Sequence, residues 1–238
     1  ANVDLRVIAM GQVMSPQHHF KLVALASAGV AAVAVAALGE QGFGYDSEYE
    51  FKRFFETRRK NLIVIEEEEL FKNSNMSAPV YGEMSYKGTF QMLRAFDTRG
   101  KVFYDLGSGL GAPVIAAIHQ FRDLKKAVGI ELSPSRHKIA LEALEKLVWR
   151  SDRKKLEFLC KSMLEHPLGD ADIVFISSLC FQDKFMNILG TYLNNQLKPD
   201  TIVLSSREMK TINATIGARV LVEMSWNNEH KLHHYIMK

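Results

Sequence analysis

Asp105, three glycines at positions 107, 109 and 111, and Glu131 are the residues of this 238-residue chain whose types and spacing could do chemistry. They sit in and after the run VFYDLGSGLGAPVIAAI, Val102 to Ile118, which reads as strand, glycine turn and helix. Glycines at i, i+2 and i+4 let a backbone turn tightly and approach a ligand that any Cβ would exclude. A GxGxxG spacing would favour a pyrophosphate at the helix N-terminus. Here the spacing is GxGxG, and an acid, Asp105, ends the strand before it. A carboxylate there suits an ammonium group, and the N–H groups of the turn suit a carboxylate. Glu131 closes the apolar run AVGIE, 26 residues after Asp105. An acid at such a strand tip accepts hydrogen bonds from both hydroxyls of a ribose. The ligand so described is a nucleoside carrying an amino acid instead of a phosphate, the chemistry of S-adenosylmethionine and its product S-adenosylhomocysteine. Either half alone also fits a NAD site or a plain scaffold turn.

The elements that must position these residues follow from hydrophobic pattern. Val102–Leu106, Ala127–Glu131, Leu156–Cys160, Asp172–Ser178 and Thr201–Ser206 are apolar and β-branched, and predict strands. Between them, Ala140, Leu144, Leu147 and Val148 form one helical stripe, and Phe185, Ile188, Leu189, Tyr192 and Leu193 another. Ser133 before Pro134 is an N-cap and N1 pair. Alternating units of this length predict a parallel, doubly wound sheet. Val220–Trp226 and Leu232–Met237 break the rhythm. The loop expected between them, Asn227 to Lys231, is too short for a parallel crossover, so they pair antiparallel as a hairpin. The expected fold is α/β: a Rossmann-like seven-stranded methyltransferase sheet with an antiparallel C-terminal hairpin, and a helical N-terminal extension. The expected division is a mainly helical region over 1–76 and a cofactor-binding catalytic domain over 77–238.

Composition bounds the rest. Apolar residues make up 47% and charged residues 24%, as in an ordinary folded domain, and the net charge of +3 argues for no particular partner. Two cysteines, Cys160 and Cys180, lie in apolar runs and read as buried, reduced thiols, with no zinc spacing anywhere. No metal is expected. His230, His233 and His234 alternate along a strand and so point to opposite faces. Leu22–Leu38 is uncharged over 17 residues, just short of a membrane span. Being mostly alanine and valine, it reads as a packed helix before a membrane segment or a signal peptide. Phe51, Phe54 and Phe55 at i, i+3, i+4 predict a further helix whose polar side carries Lys52, Arg53, Arg58, Arg59 and Lys60. The acidic run Glu66 to Glu69 reads as a solvated face.

YGEMSY, Tyr81 to Tyr86, followed by DLGSGLG, resembles the disruptor-of-telomeric-silencing family, the non-SET histone lysine methyltransferases. IVFISSLCF, IVLSS and MSWNNEHKLHHY resemble that family's fourth strand, fifth strand and C-terminal hairpin. The resemblance covers about two-thirds of the chain, from Ser77 onward. It implies that Tyr81, Glu83, Met84 and Ser85 close over the methionine end of S-adenosylmethionine. Asp105, Gly107, Ser108, Gly109, Gly111 and Glu131 hold the cofactor, with Ala112, Ser162 and Met163 near its adenine. Trp226, Tyr86, Ser178 and His233 are the residues expected at the lysine channel, with Ser178 expected to touch the cofactor as well. The family usually carries Thr at Met84, Gln at Ala112, Asp-Phe at Ser162–Met163, Asn at Ser178 and Tyr at about His233. Those departures bear on adenine contacts, on rate and on the number of methyl groups added.

The resemblance further implies in-line attack of a lysine amine on the methyl carbon of a sulfonium. The amine must be neutral, which costs roughly 3 kcal/mol at pH 8 for a free lysine of pKa ~10.4. A dry aromatic channel lowers that cost by desolvation, so no strong base is required and none stands out. The expected substrate is a globular-domain lysine of histone H3 on a nucleosome, and the expected location is the nucleus. DNA phosphates would be met by the clusters Lys52–Lys60 and Arg150–Lys155. The alternatives are methyl transfer to RNA or another protein, or an inactive cofactor-binding relative.

Overall fold

The computed structural model describes residues 48–62 and 82–238; Tyr81, the apolar run at 22–38 and the acidic run at 66–69 lie outside the described residues. The elements are α1 (Glu48–Leu62), α2 (Tyr86–Leu93), β1 (Val102–Leu106), α3 (Ala112–Gln120), β2 (Lys126–Glu131) and α4 (Pro134–Leu147). There follow β3 (Leu156–Cys160), β4 (Ile173–Ile176), α5 (Asp183–Gln196), β5 (Ile202–Ser205), β6 (Ala214–Ile216), β7 (Val220–Met224) and β8 (Asn227–Met237). All belong to one compact unit, Gly44–Lys238. Helix α1, grouped by sequence with region 1–76, packs within this unit through Phe51 and Phe55, both buried in the main core. Among the described residues no helix is long and apolar enough to cross a membrane.

The sheet order is β3-β2-β1-β4-β5-β8-β6, with β7 paired to β8 alone. β1 through β5 run parallel, and β8 enters antiparallel between β5 and β6. All five residues of β1 are buried, because helices and loops cover both faces of a parallel sheet and its strands then read as unbroken apolar runs. Phe103, Ala127, Phe175 and Leu204 face the core under α1, α3 and α4, while Tyr104, Val128, Val174 and Val203 face the core under α5. By the period of two, Asp105 shares the face of Phe103 but lies at the strand's end, where the apolar layer stops.

Two expectations are corrected, and one strand is added. The hairpin turn is Ser225–Trp226, and Asn227–Lys231 is strand, because β8 runs unbroken for 11 residues and bonds β7 with its first half. Trp226 is therefore a turn residue. β6 was not legible: ATI is only three residues long, interrupted by a polar Thr215, and at the sheet edge, where short strands are the rule. Cys160 is exposed and Cys180 half-buried, the first because it ends an outer strand with its side chain turned out.

Candidate cofactor and methyl-transfer site

Strand order reverses between β1 and β4, and ligands of open α/β sheets bind at the carboxyl ends of strands at such a point. A cavity of about 460 Å³ lies there. Ten of the expected residues line it: Glu83, Met84, Asp105, Gly107, Ser108, Gly109, Glu131, Ser162, Met163 and Trp226.

The turn is built on left-handed backbone, with φ of 85° at Gly107 and 86° at Gly111. At Gly111 a Cβ would come within 2.7 Å of the Phe158 ring and 2.9 Å of Ala140, so conformation and space both exclude a side chain. The N–H groups of Gly107 and Ser108 donate to the Ile130 carbonyl at 2.8 and 3.0 Å, and Gly111 N–H donates to the Ser108 carbonyl at 2.8 Å. Gly109 N–H donates to Glu131 Oε2 at 2.8 Å, and Leu110 N–H bonds the Glu83 carboxylate. The turn thus spends its N–H groups inside the protein. The expectation that they meet a ligand carboxylate is not what the geometry shows. The acids, not the turn, present the polar surface.

Glu131 Oε1 also accepts from Ser133 N–H at 2.8 Å, at the start of α4. A carboxylate has about four lone-pair directions, so two remain for a ligand on the cavity side. Asp105 is 1% exposed, and its Oδ1 has no hydrogen-bond partner among the described residues. Burial, then Glu131, then Glu83, raise its pKa well above the ordinary carboxylate value. Such an atom costs about 1–3 kcal/mol or more when left unpaired, and a cationic donor would offset that cost.

One wall comes from distant sequence. Glu83 N–H donates to Ser225 Oγ at 3.1 Å. In return Ser225 N–H donates to the Glu83 carbonyl at 2.8 Å. Met84 bridges Met224. Ser85 caps α2, accepting from Gly88 N–H at 2.9 Å, and its hydroxyl donates to Glu223 Oε1 at 2.7 Å. The Trp226 ring lies over Gly82, where a Cβ would stand 2.0 Å from Cζ3. The YGE segment is therefore laced to the hairpin turn, and glycine at position 82 is what lets the indole in.

Other expected residues lie elsewhere. Tyr86 bonds His119 and packs edge-to-face on Phe51 at 4.9 Å, away from the cavity. Ser178 is fully buried and shares a 2.8 Å hydrogen bond with Ser205, while its neighbour Ser177 lines the cavity. A shift of one residue at a strand end reverses the facing. His233 pairs across from Ser205 and stacks on Tyr235 at 6.3 Å. Ala112, the first residue of α3, is buried in the core, and Gly111 caps that helix without reaching the cavity wall. Missed were Arg136, Lys161, Leu179 and Phe181, all on the wall. Arg136 was findable as the N3 residue after the Ser133–Pro134 cap. Phe181 follows β4, where the switch-point rule already pointed. Among the described residues no group of three potential metal ligands occurs.

Sheet order, antiparallel insertion and an acid-lined cavity at the switch point define the chain as a Rossmann-like methyltransferase. A comparison with curated protein sequences finds no match. The profile of the family described as "Histone methylation protein DOT1" matches residues 60–235, and the chain belongs to that family. Among solved structures, an RNA methyltransferase from Salinibacter ruber in complex with S-adenosyl-L-homocysteine is similar, at 25% identity and a TM-score of 0.49, covering 63% of this chain and 89% of that one. The pyocyanin biosynthetic protein PhzM is similar at 12% identity and a TM-score of 0.51, covering 64% of this chain and 55% of that one.

Proposed function

We propose that this chain transfers a methyl group from S-adenosylmethionine to a lysine in the globular part of histone H3 on the nucleosome, within the nucleus. The observation that carries the cofactor reading is Asp105, whose buried carboxylate oxygen in the lining of the switch-point cavity has no partner among the described residues. An amino-acid ammonium is the donor that fits it, and Glu131 retains capacity for ribose hydroxyls. When bound, S-adenosylmethionine supplies an electrophilic methyl group on a sulfonium.

The chain's own residues do the rest. Met163, Phe175, Phe181 and Phe185 give the cavity an apolar lining that excludes water. Leu179 and Trp226, 40% and 41% exposed, stand on the wall and also face solvent, so they are placed to strip water from an arriving amine. Desolvation favours the neutral amine, which is the nucleophile. Ser177 lies among these residues as the polar group within reach, in the place expected of Ser178. Alignment of the amine carries most of the acceleration, the wall's acids Glu83, Asp105 and Glu131 being taken up by the cofactor. Tyr81, outside the described residues, is assigned to the cofactor site by the family resemblance alone.

For the nucleosome, Arg53, Arg150 and Lys154 are exposed and make no ion pair among the described residues. Lys52, Arg58, Arg59 and Arg153 of the same clusters are already paired with acids. Transfer of radiolabelled methyl to nucleosomes, free histones and RNA, side by side, tests the reading. Label on the histone H3 globular domain, lost in Gly107→Arg, is the expected outcome. Label on RNA alone would overturn the substrate and leave the methyltransferase standing.

A further inference from the structure

We propose that Arg59, on helix α1, is a positioning residue of the cofactor site: it fixes the Glu83 carboxylate in the cavity wall, so that docking of α1 sets the cavity's affinity for a cationic ligand. The inference rests on the methyltransferase reading and deepens it by assigning α1 a part in the site.

Arg59 Nη2 donates to Glu83 Oε2 at 2.6 Å. The two ends of the pair differ: the Glu83 side chain is 6% exposed and that of Arg59 35%. The arginine therefore reaches in from a wet surface to a dry carboxylate. Removing one partner of a pair whose other member is buried leaves that charge uncompensated. Glu83 is faced by Arg59 from α1, Arg136 from α4, the Leu110 N–H from the glycine turn and Asp105 from β1. Burial raises its pKa and Arg59 is the largest influence pulling it back. Without Arg59 the balance at Glu83 moves further toward the neutral acid, and the acidic wall loses negative charge toward a cation.

Two features separate this role from simple packing. The Glu83 backbone is held independently, by Ser225 on the hairpin turn. Loss of Arg59 thus removes one holder of the carboxylate, leaving Leu110 N–H and Arg136, and leaves the loop in place. Helix α1 also has a second arm, Arg58, which bonds Glu142 of α4 at 2.9 Å and touches nothing on the cavity wall. Phe51 and Phe55 anchor the helix whichever arginine is removed. Arg58 is the built-in control for helix docking.

The test is calorimetric titration of S-adenosylmethionine into the full chain from about pH 6.5 to about pH 9. The proteins are wild type, Arg59→Ala, Arg59→Lys, Arg58→Ala, Glu83→Gln and the Arg59→Ala/Glu83→Gln double variant. Expected for Arg59→Ala is affinity weaker by about tenfold near neutral pH, the size of one lost charge interaction in a partly screened site. That defect narrows as pH rises and Glu83 ionises again. Arg59→Lys restores most of the affinity, Arg58→Ala stays within about twofold, and the double variant binds no more weakly than Glu83→Gln. Wild-type affinity in Arg59→Ala, a defect equal at every pH, a matching defect in Arg58→Ala, or multiplied losses in the double variant would each overturn the proposal. A wild-type chain that binds no S-adenosylmethionine would overturn the cofactor reading itself, an outcome distinct from the others.

Discussion

At the residue scale, Asp105 carries a cost that shows what the site is for. A carboxyl whose folded pKa lies above its unfolded value holds its proton in the native state after the unfolded chain has lost its own. The unfolded state then binds fewer protons, so stability falls as pH rises from about 4 through the folded pKa. Asp105→Asn removes that penalty. It is expected to raise the melting temperature of the ligand-free protein at neutral pH and flatten its pH dependence. The same change is expected to weaken S-adenosylmethionine binding by tenfold or more, as a charge-assisted bond is worth about 1.5–3 kcal/mol. Thermal unfolding across pH and calorimetric titration check the two halves, and a variant both more stable and equally tight would refute the assignment. Gly111 is the opposite kind of residue. Gly111→Ala combines left-handed strain with overlap on Phe158 and Ala140, and should cost about 2–4 kcal/mol by denaturant unfolding.

Elements matter here through the joint between the YGE segment and the hairpin. Two stretches some 140 residues apart exchange backbone bonds, a side-chain cap and a Trp–Gly contact, so the cavity wall is only as firm as β7 and β8 make it. Ser85 sits at the junction, capping α2 and bonding Glu223 at once. Ser85→Ala should cost about 1–2 kcal/mol, a melting temperature lower by roughly 2–8 °C. The Tyr86–His119 contact should survive it, since that pair packs on α1 and α3. The hairpin also shows where pattern reading stopped. Alternation identified both strands, but the turn was placed on the polar stretch after Trp226. The chain instead turns at Ser225–Trp226, because the polar residues Asn227 to Lys231 pair with β7 at an exposed edge.

For the whole molecule, a ligand that binds only the folded state stabilises it by mass action. S-adenosylmethionine at one hundred times its Kd should add about 2.7 kcal/mol and raise the melting temperature by about 5–10 °C. The shift should vanish in Gly107→Arg, whose side chain would occupy a left-handed position on the cavity wall beside Met163 and Phe181. If histone H3 on the nucleosome is the substrate, methyl transfer should fall with added salt, because Arg53, Arg150 and Lys154, which have no ion pair among the described residues, act through phosphates. Salt-independent transfer to nucleosomes would argue that those exposed clusters are ordinary solvated faces.

The sequence by itself determined the fold class, the glycine turn and the two acids at the strand tips. These are local matters: a run of apolar residues long enough for a buried strand, a backbone that only glycine can bend, an acid at a fixed offset. The N-cap Ser133 and the helical stripe of Phe51 and Phe55 were legible for the same reason. Tertiary structure alone decided which groups meet. Arg59, Glu83, Asp105, Arg136 and Trp226 converge because β1 and β4 are neighbours and the hairpin folds back beside β5, which no local spacing encodes. It also decided that Ser177 and not Ser178 faces the cavity, since the last residue of a strand fixes the facing and strand ends are set by pairing, not by pattern.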